Sequence, residues 1–164
     1  MILTDVRYEV CGPVAVIAYD KQERRNAWSP QLYRQIETVF AQANGDDQVG
    51  AIVLTHEGPI FCAGADFKAE PEIDAETGRK RNIAQICMQQ DSGWIHLIAR
   101  SKPVIGAVHG AAIGLGVTQL LPLDIRLGGE SSTWKWLTDC HSPSSVGAWW
   151  IASTYGRGRP NRPS

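Results

Sequence analysis

No two of the four cysteines, Cys11, Cys62, Cys87 and Cys140, form a CxxC pair, so neither a zinc ribbon nor a thioredoxin-like redox site has support. Cys62 and Cys87 lie in apolar surroundings, where a free thiol behaves as a small hydrophobe. No apolar run approaches the roughly 18 residues of a membrane-spanning helix. The N-terminus, Met1-Ile2-Leu3-Thr4-Asp5-Val6-Arg7, mixes charges at once and shows no secretory signal. A reduced, cytoplasmic setting is the expectation. Neither sign of charge dominates: 16 Lys and Arg against 17 Asp and Glu leave a net charge of -1. That balance gives no electrostatic case for nucleic acid or an anionic membrane surface. Basic residues cluster at Lys21, Arg24 and Arg25 and again at Arg79–Arg81, the second reading as a solvated face. Among the motifs, a complete GxGxxG is missing, and neither glycine-rich segment contains the serine that a hydrolase elbow needs. No metal-ligand spacing is present.

What is there fits one domain of 164 residues, long enough to bury a core. Val6, Tyr8 and Val10 alternate with charged residues, and Val14–Tyr19 follows the Gly12-Pro13 turn, which predicts a hairpin. Ser29 before Pro30 is a helix start, and Leu32, Ile36, Val39, Phe40 and Ala43 recur at helical spacing up to Asn44-Gly45. Ala51–Thr55 and Val104–Val108 read as buried parallel strands. Residues 78–100 read as a helix with Ile83, Ile86, Cys87, Trp94, Leu97 and Ile98 inward. A short helix within Ala111–Leu121 and a strand over Leu123–Leu127 complete an alternating α/β order. From Ser131 to Ser164 the text becomes rich in Ser, Trp, Arg and Pro, and regular structure is not expected there.

Two glycine-rich segments each follow a buried strand: Phe61-Cys62-Ala63-Gly64-Ala65-Asp66-Phe67-Lys68 and His109-Gly110-Ala111-Ala112-Ile113-Gly114-Leu115-Gly116-Val117-Thr118. Ligands of open α/β sheets bind beyond the carboxyl ends of strands. Small residues let the backbone approach a ligand and leave N–H groups to donate. Gly114-Leu115-Gly116 also opens a helix, whose first N–H groups favour negative charge. Each loop taken alone is equally a tight strand-to-helix turn, and the second equally an incomplete phosphate loop.

Together these segments resemble the crotonase (enoyl-CoA hydratase/isomerase) family. Arg24-Arg25-Asn26-Ala27 is similar to its early segment lining the CoA site, and Leu123-Asp124-Ile125-Arg126 to the strand after its second motif. The likeness runs from Val6 to about Gly129. It implies an α/β fold of the ClpP/crotonase type, a spiral of ββα repeats, with residues 1–130 as the acyl-CoA-binding core and 131–164 as a divergent tail. It also implies that the backbone N–H groups of Ala65 and Leu115 form an oxyanion hole for a thioester. Arg25, Ala27, Ala63, Gly64, Asp66, Phe67, Lys68, Gly114 and Thr118 are then expected around the acyl-CoA substrate. CoA belongs to the substrate, and no further cofactor or metal is implied. Family members form trimers or hexamers and act in fatty acid metabolism.

Thr118 stands where the resemblance places the first catalytic glutamate of a hydratase, and a hydroxyl is a poor general base near pH 7. Asp66 and His109 read as structural groups of their turns. The likeness ends where a Pro-Phe-x-Glu-Leu-Gly segment is due. Cys140–Val146 admits codons that, read from the third base, give Pro-Phe-Thr-Glu-Leu-Gly. The tail is therefore expected to be a frame-shifted or truncated continuation, and the fold incomplete at its C-terminus.

Overall fold

The computed structural model describes residues 2–81, 83, 86 and 93–135. Its first hairpin joins β1 (Val6–Cys11) and β2 (Val14–Tyr19), paired antiparallel from Val6 opposite Tyr19 to Cys11 opposite Val14. Gly12, at φ +57°, supplies the left-handed turn residue that this two-residue connection requires. β2 continues into a parallel sheet with β3 (Ala51–His56), β7 (Val104–Val108) and β9 (Ile125–Gly128), in the order β1-β2-β3-β7-β9. Parallel neighbours need a crossover, and α1 (Pro30–Gly45) provides it between β2 and β3. The Ser29 side chain caps α1 by accepting from the N–H of Leu32 at 3.1 Å, and Pro30 occupies its first turn. The apolar positions read from the sequence, Leu32, Ile36, Val39, Phe40 and Ala43, are all fully buried in the core.

A second sheet was not visible in the sequence. β4 (Ile60–Cys62), β8 (Ala111–Ile113) and β10 (Thr133–Lys135) pair in parallel, in the order β10-β8-β4. Each strand of the large sheet from β3 onward is thus followed by one of the small sheet: β3 by β4, β7 by β8, β9 by β10. The chain stacks these pairs side by side, which is the repeating spiral that the resemblance implied.

Two local expectations change. Residues 78–100 are not one helix. β5 (Glu72–Ile73) and β6 (Lys80–Arg81) form an antiparallel hairpin, and α2 covers Trp94–Arg100. The Asp74 carboxylate caps the hairpin turn by accepting from the N–H groups of Glu76 and Thr77, and Gly78 turns with φ +66°. Ile83, Ile86, Trp94 and Ile98 are buried as expected, while Cys87 lies outside the described residues. In the segment from 131 onward, Thr133–Lys135 is a strand instead of irregular chain, because the edge of β8 offers it a ladder. The remainder of that segment, 136–164, lies outside the described residues. Among the described residues no helix is long and apolar enough to cross a membrane.

Candidate functional site

β4 and β8 are parallel neighbours, with Ile60 opposite Ala111 and Cys62 opposite Ala112. Their carboxyl ends therefore lie side by side, and both glycine-rich loops leave from that edge. Gly64 adopts φ +100°, and a Cβ on it would lie 3.2 Å from the carbonyl oxygen of Ile113 at the end of β8. Gly116 approaches from the other side: its Cβ would lie 2.6 Å from the oxygen and 2.9 Å from the Cβ of Cys62. Glycine is needed at both positions for these loops to touch.

The donors follow from that packing. Trp28 bridges to Ala65 in parallel fashion: the Trp28 N–H donates to the Gly64 carbonyl at 2.8 Å, and the Asp66 N–H donates to the Trp28 carbonyl at 2.9 Å. A bridge of this kind uses the groups on either side of Ala65 and turns its own N–H the other way. Leu115 opens α3 (Leu115–Thr118), where the first N–H groups have no partner within the helix. Among the described residues, neither the Ala65 nor the Leu115 N–H donates a hydrogen bond, and both residues are half-buried. Both N–H groups thus lie in the loops that leave the adjoining ends of β4 and β8.

The early basic segment is fastened beside the first loop. Arg25 and Asn26 both take left-handed backbone, with φ 54° and 52°. Asparagine tolerates that conformation, and its buried side chain holds the turn. Asn26 Oδ1 accepts from the N–H of Lys21, and its Nδ2 donates to the carbonyls of Glu57 and Ile60. The Arg25 carbonyl accepts from the N–H of Ala63 at 3.1 Å. Arg24 then reaches Asp66 with a fork: Nη2 to Oδ1 at 2.5 Å and Nε to Oδ2 at 3.2 Å. Burial pushes the Asp66 carboxyl up, but the Arg24 bonds, the Lys68 N–H and the nearby positive charges outweigh it and hold it below the ordinary carboxylate range. Asp66 is a committed anion that braces its loop.

Lys21, Arg24, Asp66 and Lys68 line a cleft of about 430 Å³ together with Glu23, Ser29, Gln31 and Glu70. Arg25 instead lines a separate small hollow with Gln22, Glu57 and Pro59. Ala27 is half-buried at the base of the bridge, and Phe67 stands almost free, 92% exposed. The structure therefore gathers Ala63, Gly64, Ala65, Asp66, Lys68, Gly114 and Leu115 at one strand edge, with Arg24 lining the cleft and Arg25 the separate hollow. No sequence spacing announced the Arg24–Asp66 pair, 42 residues apart.

Other reactive groups near the edge are disarmed. Thr118 Oγ1 donates to the Leu115 carbonyl at 2.9 Å, a turn bond within its own helix. Burial pushes the Cys62 thiol up to about 11, so it is protonated at neutral pH. His109 stacks on His56 with ring centroids 3.8 Å apart, in the turn before β8. Among the described residues no three His, Cys, Asp or Glu side chains gather as a metal site.

The enoyl-CoA hydratase/isomerase family model matches residues 9–141. EchA14 of Mycobacterium tuberculosis, a probable enoyl-CoA hydratase, is 33% identical over 119 residues. That alignment covers 73% of this chain and 44% of the relative. A 4-chlorobenzoyl coenzyme A dehalogenase of an Arthrobacter species is 32% identical, covering 73% of this chain and 43% of its own length. A solved enoyl-CoA hydratase/isomerase from Pseudoalteromonas atlantica superposes with a TM-score of 0.65 at 26% identity, over 80% of this chain and 49% of that one. The chain thus spans about half the length of the proteins it matches. Over that half, the paired-strand spiral, the two glycine loops and the matched family model agree, and the chain belongs to the enoyl-CoA hydratase/isomerase family.

Proposed function

We propose that this chain binds an acyl-CoA thioester and stabilises its enolate through the backbone N–H groups of Ala65 and Leu115. The observation that carries the reading is the adjacency of β4 and β8. It brings the Ala65 and Leu115 loops to one strand edge, beside a cleft lined by Lys21, Arg24 and Lys68 and by Glu23, Asp66 and Glu70. An enolate concentrates charge on the thioester oxygen. Donors held in place by packing favour that charge over the neutral carbonyl, and one such donor contributes about 2.7–4 kcal/mol. The cleft carries three cations, Lys21, Arg24 and Lys68, against three carboxylates, Glu23, Asp66 and Glu70, and Lys68, three residues beyond the first donor, is the side chain we assign to the phosphates of CoA.

A second reading, binding without turnover, is favoured by one observation. At the position of the first family glutamate stands Thr118, its hydroxyl already donated to a carbonyl. Asp66, the acid nearest the first donor, is tied to Arg24. Both groups are thus engaged, which leaves neither Thr118 nor Asp66 free for proton transfer at the α-carbon.

Calorimetric titration with a saturated acyl-CoA and with free CoA, alongside turnover assays on 2-enoyl-CoA and 3-enoyl-CoA, tests both readings. Ala65→Pro deletes the donor while sparing the Trp28 bridge, which uses the Gly64 carbonyl and the Asp66 N–H. The proposal expects acyl-CoA to bind more tightly than CoA and the preference to vanish in Ala65→Pro. Turnover of either enoyl substrate supports the enzyme; binding without turnover supports the second reading. Equal affinity for CoA and acyl-CoA, or no affinity for either, overturns the oxyanion assignment.

A further inference from the structure

The two donors come from loops that sequence places 50 residues apart, and a buried side-chain relay connects them. Trp28, whose backbone bridges Ala65, is fully buried. Its ring meets Tyr19 edge-on at 5.5 Å and Trp94 edge-on at 5.3 Å. Both partners then converge on one residue. The Tyr19 hydroxyl donates to Gln119 Oε1 at 2.6 Å, and Trp94 Nε1 donates to the Gln119 carbonyl at 2.7 Å. Gln119 in turn donates its own N–H to the carbonyl of Leu115 at 3.1 Å. The path between the two loops thus runs from Gly64 and Asp66, which flank Ala65, through Trp28, Tyr19 or Trp94, and Gln119 to Leu115, and every link is a hydrogen bond or a ring contact.

Gln119 is 2% exposed, and its side-chain amide lies against the Cys62 thiol as well as the Tyr19 hydroxyl. A buried amide is a costly choice for a core position that leucine or methionine would fill. Its placement explains the choice. Only a side chain with an acceptor at that reach takes the Tyr19 hydroxyl. A short 2.6 Å bond between buried groups fixes distance and angle far more sharply than apolar packing does. A four-residue helix such as α3 has too few internal bonds to hold its own axis, so its direction must come from outside.

We propose that Gln119 and Tyr19 are positioning residues that set the separation and aim of the two oxyanion donors. This rests on the oxyanion reading above. Neither side chain touches the substrate; each acts through the backbone it holds, Gln119 on Leu115 and Tyr19 through Trp28 on Ala65.

The test uses Tyr19→Phe, which removes one oxygen, and Gln119→Met, which keeps the volume and removes the acceptor. The probe is a chromophoric 4-dimethylaminocinnamoyl-CoA thioester, whose absorbance moves to longer wavelength when its carbonyl is polarised by two donors. Binding affinity and the absorbance shift are read separately, with circular dichroism and thermal unfolding as the check on folding. The expected result is a folded variant that binds the probe within about 3-fold of the parent chain, because most CoA contacts lie elsewhere, yet loses at least half of the shift. Retention of the shift in folded Gln119→Glu, whose carboxyl oxygen still accepts from the Tyr19 hydroxyl, marks positioning rather than general support. A full shift in folded Tyr19→Phe overturns the inference even if Gln119→Met fails to fold. Absence of any shift in the parent chain overturns the oxyanion reading, and the positioning role falls with it. A shift in the parent that both variants keep overturns the positioning role alone.

Discussion

Replacing Gly116 by alanine adds one methyl group at the closest approach between the two loops. The new Cβ would lie 2.6 Å from the Cys62 carbonyl oxygen and 2.9 Å from its Cβ, where ordinary carbon contacts are about 3.5–4.0 Å. Both obstacles belong to β4 and its rigid backbone environment, so relief must come from moving α3 by roughly 1 Å. Overpacking of this size costs about 1–3 kcal/mol. Alanine in a helical position recovers about 1 kcal/mol of propensity. The net loss of stability is therefore about 0–2 kcal/mol, a fall in Tm of at most about 8 °C for a domain of this size. Moving α3 also moves the Leu115 N–H, and displacing one oxyanion donor costs about 2.7–4 kcal/mol of charge stabilisation. Function thus falls further than stability. Chemical denaturation and acyl-CoA titration of the same preparation measure the two losses. Gly45→Ala serves as the control, because nothing lies within 4 Å of its Cβ and the helix end gains from alanine. A Gly116→Ala protein that is as stable as the parent and keeps its preference for acyl-CoA over CoA refutes the close approach on which the site rests.

Ser29→Ala removes the acceptor for the Leu32 N–H and is expected to lower stability by about 1 kcal/mol in urea unfolding, without affecting the ratio of acyl-CoA to CoA affinity. Burial, then the neighbouring His109, lowers the pKa of His56 in the fold. Below about pH 6.5 the unfolded chain takes the proton and the folded chain resists it, so stability declines as pH falls from 6.5 toward the folded value. His56→Gln, which keeps an acceptor for the His109 N–H, is expected to flatten that slope in unfolding measured from pH 7.5 to 5. Asp66 behaves in the opposite sense within a lower window. Its depressed pKa gives stability that is whole above about pH 4 and is lost as pH falls through the folded value, so Asp66→Asn is expected to lose the most acidic part of the transition. Iodoacetamide at pH 8 is expected to label exposed Cys11 and to spare Cys62, whose buried thiol is held protonated up to about 11; peptide mapping that finds both labelled at the same rate contradicts the burial.

The larger sheet was legible because its strands are long enough to carry a pattern. Ala51–His56 and Val104–Val108 are runs of five or six residues with buried positions alternating along them, and Ser29-Pro30 announces α1 in residues that have few other uses together. The small sheet left no such trace. Ile60-Phe61-Cys62, Ala111-Ala112-Ile113 and Thr133-Trp134-Lys135 are three residues each, too short for period two to rise above chance, and they are strands only because neighbours offer them ladders. The hairpin at 72–81 was lost for a related reason. Lys80 and Arg81 suit a helix as well as a strand, and the decision is made by the Asp74 turn and by ion pairs of Arg81 with Asp74 and Glu72, Glu72 being paired in turn with Arg34 on α1.

The site divides along the same line. The close approach of the two loops could be read, because it depends on small residues at strand ends, and Ala63-Gly64-Ala65 and Gly114-Leu115-Gly116 display that need openly. Side-chain roles depend on which distant residues the spiral brings together, and there the sequence offers only candidates. Arg24 and Arg25 are adjacent and chemically identical. The left-handed turn at Arg25 and Asn26 decides that Arg24 faces Asp66 while Arg25 contributes its carbonyl to Ala63. Gln119 is the sharper case. A lone glutamine between Thr118 and Leu120 in an otherwise apolar stretch reads as a surface position, and its meaning appears only when Tyr19, 100 residues earlier, places a hydroxyl 2.6 Å away. The meeting of two strand-end loops can therefore be recognised from their glycines, whereas the groups that hold them in register are set by contacts that no local pattern encodes. Mutational scans restricted to the glycine-rich loops would miss Tyr19, Trp28 and Gln119, the residues on which the alignment of those loops depends.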